Sequence, residues 1–170
     1  MRLTLLFATV GMILIVLQMS ILHLLPLGPV VPDLVLVLCV YLGVYHPTVG
    51  AALGSFVLGY SVDVLSSPLL GINAFAMSSV FLAVYLGART IWLELHNLLL
   101  SAFVVLVASL VKSAALILIW AMFLSVDGLW SGAVRYVITE ALLAAALAPL
   151  FFMILQRGQS LLETPSATRE

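Results

Sequence analysis

The sequence predicts an all-α integral membrane protein with six transmembrane helices. Of its 170 residues, 65% are hydrophobic and 8% are charged, and the mean hydropathy is +1.32. Soluble domains carry about 25% charged residues, so folding alone cannot hide this much apolar surface from water. Turns that contain proline, glycine or charged residues divide the chain into six apolar stretches, and about 20 such residues cross a bilayer.

The first two helices have clear boundaries. The first follows Arg2 and is longer than the roughly 7–15 apolar residues of a signal peptide, so we expect a retained spanning helix that ends before Pro26. The second opens at Pro32-Asp33, where proline does little harm because the first helical N–H has no partner within the helix. The predicted spans are residues 3–25, 31–45, 47–65, 72–93, 97–124 and 129–155.

The remaining helices follow from further turn signals. The third starts at Pro47, and a Ser-Pro-Leu-Leu-Gly turn ending at Gly71 separates it from the fourth. The fifth and sixth are divided by a polar turn at residues 125–128. We expect one transmembrane domain at residues 1–155 and a short, mobile cytoplasmic tail at residues 156–170.

Positive charges predict the orientation. Arg2, Arg157 and Arg169 lie at the two ends of the chain, and Arg89 lies beside the turn between the fourth and fifth helices. The turns on the other side contain no Lys or Arg. The positive-inside rule therefore places both termini in the cytoplasm.

Residues 50–71 form the stretch around which the chain is organised. Counting back from Asp63 by one helical turn at a time gives Gly59, Ser55 and Ala51, all of them small. Such a stripe lets another backbone come close. We expect it to face protein together with Asp63, because lipid is a costly neighbour for a carboxylate.

Three other charged residues lie within predicted spans: Lys112, Arg135 and Glu140. A rise of 1.5 Å per residue puts Asp63 and Lys112 about 22 Å from the inner ends of their helices, with Arg135 at a similar height in the membrane and Glu140 about 7 Å lower. An unpaired buried charge is costly, so we expect these four residues to form one internal polar cluster. The cluster neutralises itself and fixes helix register, lines a cavity open to the outer face, or forms a proton or ion pathway.

Asp33 has a simpler explanation. It follows Pro32 at a helix start, where a carboxylate meets free N–H groups and the positive end of the helix dipole. We therefore predict that Asp33 caps the second helix.

Enzymatic and cofactor-dependent functions are disfavoured. The Tyr-Asp and Gly-x-Gly-Asp settings of intramembrane aspartyl proteases and the Gly-x-Ser-Gly of rhomboid proteases are missing from the sequence. His23, His46 and His96 have no metal-ligand spacing and are interpreted as interfacial. The net charge of −1 gives no basic surface for nucleic acid. We predict a non-enzymatic protein without cofactor, metal or nucleic-acid partner.

The stretch from Pro32 to Arg89, about a third of the chain, resembles the MreD family, the small membrane subunit of the bacterial rod-shape machinery. The matching features are Pro32-Asp33, Gly50-x3-Gly54-x4-Gly59-x3-Asp63, Ser67-Pro68-Leu69-Leu70-Gly71 and Leu86-Gly87-Ala88-Arg89.

The resemblance implies a scaffold of the cell-wall elongation complex in the inner membrane. Its partner would be an MreC-like single-span protein, in a larger complex with MreB filaments and a SEDS-type synthase with its penicillin-binding protein. Small residues would pack against partner helices. The candidates are Gly50, Gly54, Gly59, Pro68 and Gly71.

The resemblance also implies a fold similar to the S component of energy-coupling-factor transporters, with six helices around an outward-facing cavity. In such a fold the polar cluster would line or floor the cavity. The alternative function is therefore substrate binding for a vitamin or small-solute transporter, which requires an ATPase partner and a tightly held ligand.

Overall fold

The computed structural model describes residues 2–24, 33–66, 69–91, 98–123 and 130–163. All regular structure in these ranges is α-helical. The helices are α1 (Arg2–Leu24), α2 (Leu34–Tyr45), α3 (Val49–Ser66), α4 (Ile72–Ile91), α5 (Leu98–Phe123) and α6 (Trp130–Glu163).

These helices match the predicted order and number of apolar segments, but they differ in length. Four contain stretches long and apolar enough to cross a membrane, namely α3, α4, α5 and α6. The apolar helix at Phe7–Ser20 and all of α2 are shorter than this threshold among the residues described. The coarser expectation of an all-helical membrane protein is thus confirmed.

The outer surface of the helices is strongly apolar. Val49 is 79% exposed, Ile13 63% and Leu53 62%. Soluble monomers rarely expose extended apolar patches, whereas a bilayer covers such side chains. The surface therefore agrees with the composition in requiring a membrane.

α2 is the central helix of the fold. Ten consecutive residues of this helix, from Leu34 to Gly43, are buried, and α2 packs against each of the other five helices. Its sequence is apolar on all sides, as expected for a helix surrounded by protein. The two polar features that matter below lie at its ends, Asp33 and His46.

Two helical hairpins, α3–α4 and α5–α6, pack against α2. The largest helix–helix contacts are those of α3 with α4 and of α5 with α6, and α4 joins the two hairpins by packing against both α2 and α5. α6 meets α5 along an alanine-rich face that includes Ala141, Ala144 and Ala148.

α6 continues beyond the predicted end of the transmembrane domain. α6 runs through Glu163, past the predicted domain boundary at residue 155, and that boundary stays a prediction. The added turns are held by contacts with α2. Gln156 Nε2 donates to Tyr45 Oη at 3.0 Å, and Tyr41 Oη donates to Gln159 Oε1 at 2.8 Å.

Candidate functional site

The ion-pair cluster consists of Asp33, Lys112 and Glu140. Lys112 Nζ lies 2.6 Å from Asp33 Oδ2 and 2.8 Å from Glu140 Oε1. Only 11% of the Lys112 side chain is exposed, against 4% for Asp33 and 12% for Glu140. One ammonium group therefore joins α2, α5 and α6 at a single buried point.

The start of α2 helps to balance the charge of this cluster. Asp33 is the N-cap of α2, and its Oδ1 accepts a hydrogen bond from the backbone N–H of Leu36 at 3.0 Å. Two carboxylates and one ammonium sum to −1, but a helix N-terminus supplies the equivalent of about half a positive charge. About half of the cluster's net charge is thus offset by the start of α2.

Asp63 does not use its carboxylate in this cluster, which corrects the prediction made from its depth. Its two oxygens accept four hydrogen bonds at the start of α4, where they hold the turn between α3 and α4. The donors are Gly71 N at 3.0 Å, Asn73 N at 3.1 Å, Asn73 Nδ2 at 2.9 Å and Ala74 N at 3.1 Å. Asp63 is fully buried, and the free N–H groups of α4 satisfy it without a cation.

Arg135, the fourth predicted member of the cluster, belongs to the backbone of α6. Its side chain lies outside the described residues. The predicted contribution of Arg135 to the cluster stays a prediction.

Gly59 lets α3 approach the first turn of α4. A Cβ atom at this position would lie 2.6 Å from the carbonyl oxygen of Asn73 and 2.7 Å from Ala74 Cα, closer than backbone atoms tolerate. The stripe of Ala51, Ser55, Gly59 and Asp63 is buried, as predicted. Gly59 therefore serves the packing of α3 on α4 within this chain.

The turn between α3 and α4 also needs glycine. Gly71 has a φ of +98°, a conformation that side chains other than glycine rarely adopt, and its N–H is one of the donors to Asp63. Pro68, the other predicted residue of this turn, lies outside the described residues.

Gly50 and Gly54 lie on a different, open face of α3. A Cβ atom on Gly54 would meet nothing within 4 Å, and one on Gly50 would meet only Thr48 Oγ1 at 3.9 Å. Beside them, α1, α2 and α3 enclose an open groove of about 510 Å³, which we call the α1–α3 groove. Its lining contains no charged residue and is made of Phe7, Ala8, Met12, Leu42, His46, Thr48, Gly50, Ala51, Gly54, Val57, Leu58 and Ser61.

The sequence matches the family described as rod shape-determining protein MreD over residues 1–158. The chain belongs to the MreD family. No curated protein and no solved structure matches it significantly.

Membership of the MreD family assigns this protein to rod-shape determination in the membrane. In this MreD protein, the residues that carried the resemblance divide into two groups. Gly59, Asp63 and Gly71 hold the α3–α4 hairpin together, whereas Gly50 and Gly54 leave the surface of α3 open.

Sequence reasoning missed two parts of the site. The first is the pairing of Asp33 with Lys112, since the capping role alone seemed sufficient for Asp33. The second is the inner contact between α2 and α6, where His46 Nε2 lies 3.1 Å from Gln159 Oε1. The available signal was the placement of Tyr41, Tyr45 and His46 at the end of one apolar helix, with Gln156 and Gln159 at the end of another.

Proposed function

We propose that this MreD-family protein is a non-enzymatic scaffold of the cell-wall elongation complex in the bacterial inner membrane. It binds an MreC-like single-span protein and, through it, belongs to a complex with MreB filaments and a SEDS-type synthase with its penicillin-binding protein. In this role it helps to regulate peptidoglycan synthesis and cell shape. Family membership supports the general role, and the open face of α3 supports a partner helix.

The proposed topology has six membrane crossings and both termini in the cytoplasm. Arg89 lies in the last turn of α4, and Arg157 lies near the end of α6. Both belong to helix ends on the same side as the start of α1 in an alternating six-helix arrangement. The positive-inside rule supports a cytoplasmic position for that side.

The observation that carries the proposal is the open surface at Gly50 and Gly54. Apolar surface alone does not drive helices together in lipid, so association depends on close packing and on small residues at the contact. These two glycines are one helical turn apart, and nothing in the described structure fills the space beside Gly54. The uncharged lining of the adjacent groove fits an apolar spanning helix.

The charged residues support a structural role over an enzymatic or transport role. Lys112 bonds to both Asp33 and Glu140, and Asp63 bonds to the start of α4. A solute-binding subunit would be expected to present some of these groups to a cavity, yet the α1–α3 groove contains none of them. No observation favours the transport alternative.

The experiment is co-purification of the tagged protein from native membranes in mild detergent. We expect Gly54→Leu to reduce recovery of the MreC-like partner at least tenfold and to round the cells, because the added side chain occupies the contact surface. Gly87→Leu is the matched control: Gly87 is a helical glycine on α4 whose Cβ would also meet nothing within 4 Å. Undiminished partner recovery with Gly54→Leu, at normal expression, would refute the proposed surface.

A further inference from the structure

His46 belongs to two structural features at once. Its ring lines the α1–α3 groove together with Phe7, and the centroids of these two rings are 5.1 Å apart. On the α6 side, His46 Nε2 donates to Gln159 Oε1 at 3.1 Å in the tautomer that carries its proton on Nε2. A single side chain thus connects the groove with the end of α6.

The part of α6 that His46 contacts follows a proline. Pro149 lies inside α6, where it has no N–H to donate to the preceding turn, so the helix bends there more easily than elsewhere. We call residues 149–163 the inner arm. Glu140 lies on the other side of Pro149 and is fixed to Lys112 by an ion pair.

Three contacts of the inner arm with α2 are uncharged. Tyr41 Oη donates to Gln159 Oε1 at 2.8 Å, and Gln156 Nε2 donates to Tyr45 Oη at 3.0 Å. Phe152 packs edge-on against Tyr41, with ring centroids 5.5 Å apart. These contacts differ from those before Pro149, where Glu140 is linked to Asp33 at the start of α2 only through the ammonium group of Lys112.

We propose that His46 couples occupancy of the α1–α3 groove to the position of the inner arm of α6. This inference rests on the proposed function, in which an apolar partner helix occupies the groove. A helix seated there contacts Phe7 and His46 and restricts the His46 ring to the orientation that bonds Gln159. Binding couplings are reciprocal, so a docked arm also strengthens partner binding.

The experiment measures the position of the inner arm and the binding of the partner separately. Nitroxide labels at Gly87→Cys and Gly158→Cys report the distance between α4 and the inner arm in lipid nanodiscs, by double electron–electron resonance. A Cβ at either position would meet nothing within 4 Å, and the native Cys39 is buried. The partner is the MreC-like protein recovered in the co-purification experiment.

His46→Phe retains a ring against Phe7 but removes the hydrogen bond to Gln159. Interhelical hydrogen bonds in membranes correspond to about a three- to tenfold change in an equilibrium. We expect His46→Phe to raise the population of displaced arms by that factor, to weaken partner binding by a similar factor, and to abolish the effect of the partner on the distance. Tyr45→Phe is the control. It removes the hydrogen bond between Gln156 of the inner arm and Tyr45, which does not line the groove. The partner should therefore still change the measured distance.

The outcomes separate the two proposals. If the partner binds the unmodified protein but leaves the distance distribution unchanged, or if His46→Phe responds to the partner as Tyr45→Phe does, the coupling is wrong and the proposed function stands. If no partner binds the unmodified protein, the proposed function fails and the coupling fails with it. A shift caused by the partner that is lost only in His46→Phe supports both.

Discussion

Replacing Lys112 by methionine tests the ion-pair cluster most directly. The substitution keeps an unbranched side chain of similar length and removes the ammonium group that lies 2.6 Å from Asp33 and 2.8 Å from Glu140. Two nearby carboxylates are left, 4% and 12% exposed, with no cation among the described side chains that bond them. Their mutual repulsion and poor solvation then act against the folded state.

The expected cost follows from this burial. Breaking a buried ion pair by removing one partner typically costs about 3–5 kcal/mol, because an uncompensated charge remains. Asp33 retains the N–H of Leu36, so the loss falls mainly on Glu140 and on the contact between α2 and α6. We therefore expect Lys112→Met to lower the free energy of unfolding by about 3 kcal/mol.

The measurement is the free energy of unfolding in bicelles, obtained by steric trapping. The triple variant Asp33→Asn, Lys112→Met and Glu140→Gln is the control, because it removes all three charges and asparagine still caps a helix. It should recover most of the stability that Lys112→Met loses, since neutral replacement of a buried ion pair is often tolerated. If Lys112→Met is as stable as the parent, or if the triple variant is no more stable than Lys112→Met, the charge argument is wrong.

The contacts of the α3–α4 hairpin lead to two further predictions, both measured by the same unfolding assay. Asp63→Ala leaves the N–H groups of Gly71 and Ala74 without their acceptor and should cost at least about 2 kcal/mol; parental stability would contradict the capping role. Gly59→Ala should cost about 1–3 kcal/mol because its Cβ meets the backbone of α4, whereas Gly54→Ala should stay within about 1 kcal/mol of the parent or stabilise α3. Equal effects of these two alanine substitutions would refute the division of the glycines into packed and open positions.

Most of the fold was predictable because apolar runs and turn residues determine where spanning helices begin and end. The described helix starts at Val49 and Ile72 fall within two residues of those expected. The end of α6 was not predictable in this way, because residues 156–163 are mostly polar in sequence, and Gln156 and Gln159 bond to α2. Tertiary hydrogen bonds of this kind leave no periodic signal.

The candidate site was predictable in its chemistry but not in its pairing. Burial of Lys112 required an acidic partner, and Glu140 was among the expected ones. Depth alone assigned Asp63 to the same group, although its carboxylate is satisfied by the first turn of α4. A sequence gives the level of a residue along its own helix, but it does not give the direction in which the helix faces.

The same limit applies to the glycines. Separations of four and five residues placed Gly50, Gly54 and Gly59 in one predicted ladder that serves a common surface. In the structure Gly59 is buried against α4, whereas Gly50 is exposed and the half-buried Gly54 has open space beside it. Gly59→Leu would therefore disturb the α3–α4 hairpin itself, and only substitutions at the open positions test partner binding.

The length of α2 explains why this membrane protein contains a buried cluster of charges. A 12-residue helix rises about 18 Å, whereas the hydrocarbon core of a bilayer is about 30 Å thick. Lys112 lies about 21 Å from the first residue of α5 and about 17 Å from its last, so Asp33, which bonds to it, lies level with the middle of α5.

α2 consequently begins among buried residues, with Asp33 3% exposed and Leu34 2% exposed, so its first N–H groups need partners within the protein. A carboxylate cap satisfies one of these groups but introduces a negative charge, and Lys112 from α5 compensates that charge. An ammonium group has three donors, so Lys112 can also bond a second carboxylate, and Glu140 on α6 lies close enough to accept. The ion-pair cluster thus compensates the capping charge at the buried start of a short central helix, and its three charges tie that helix to the α5–α6 hairpin.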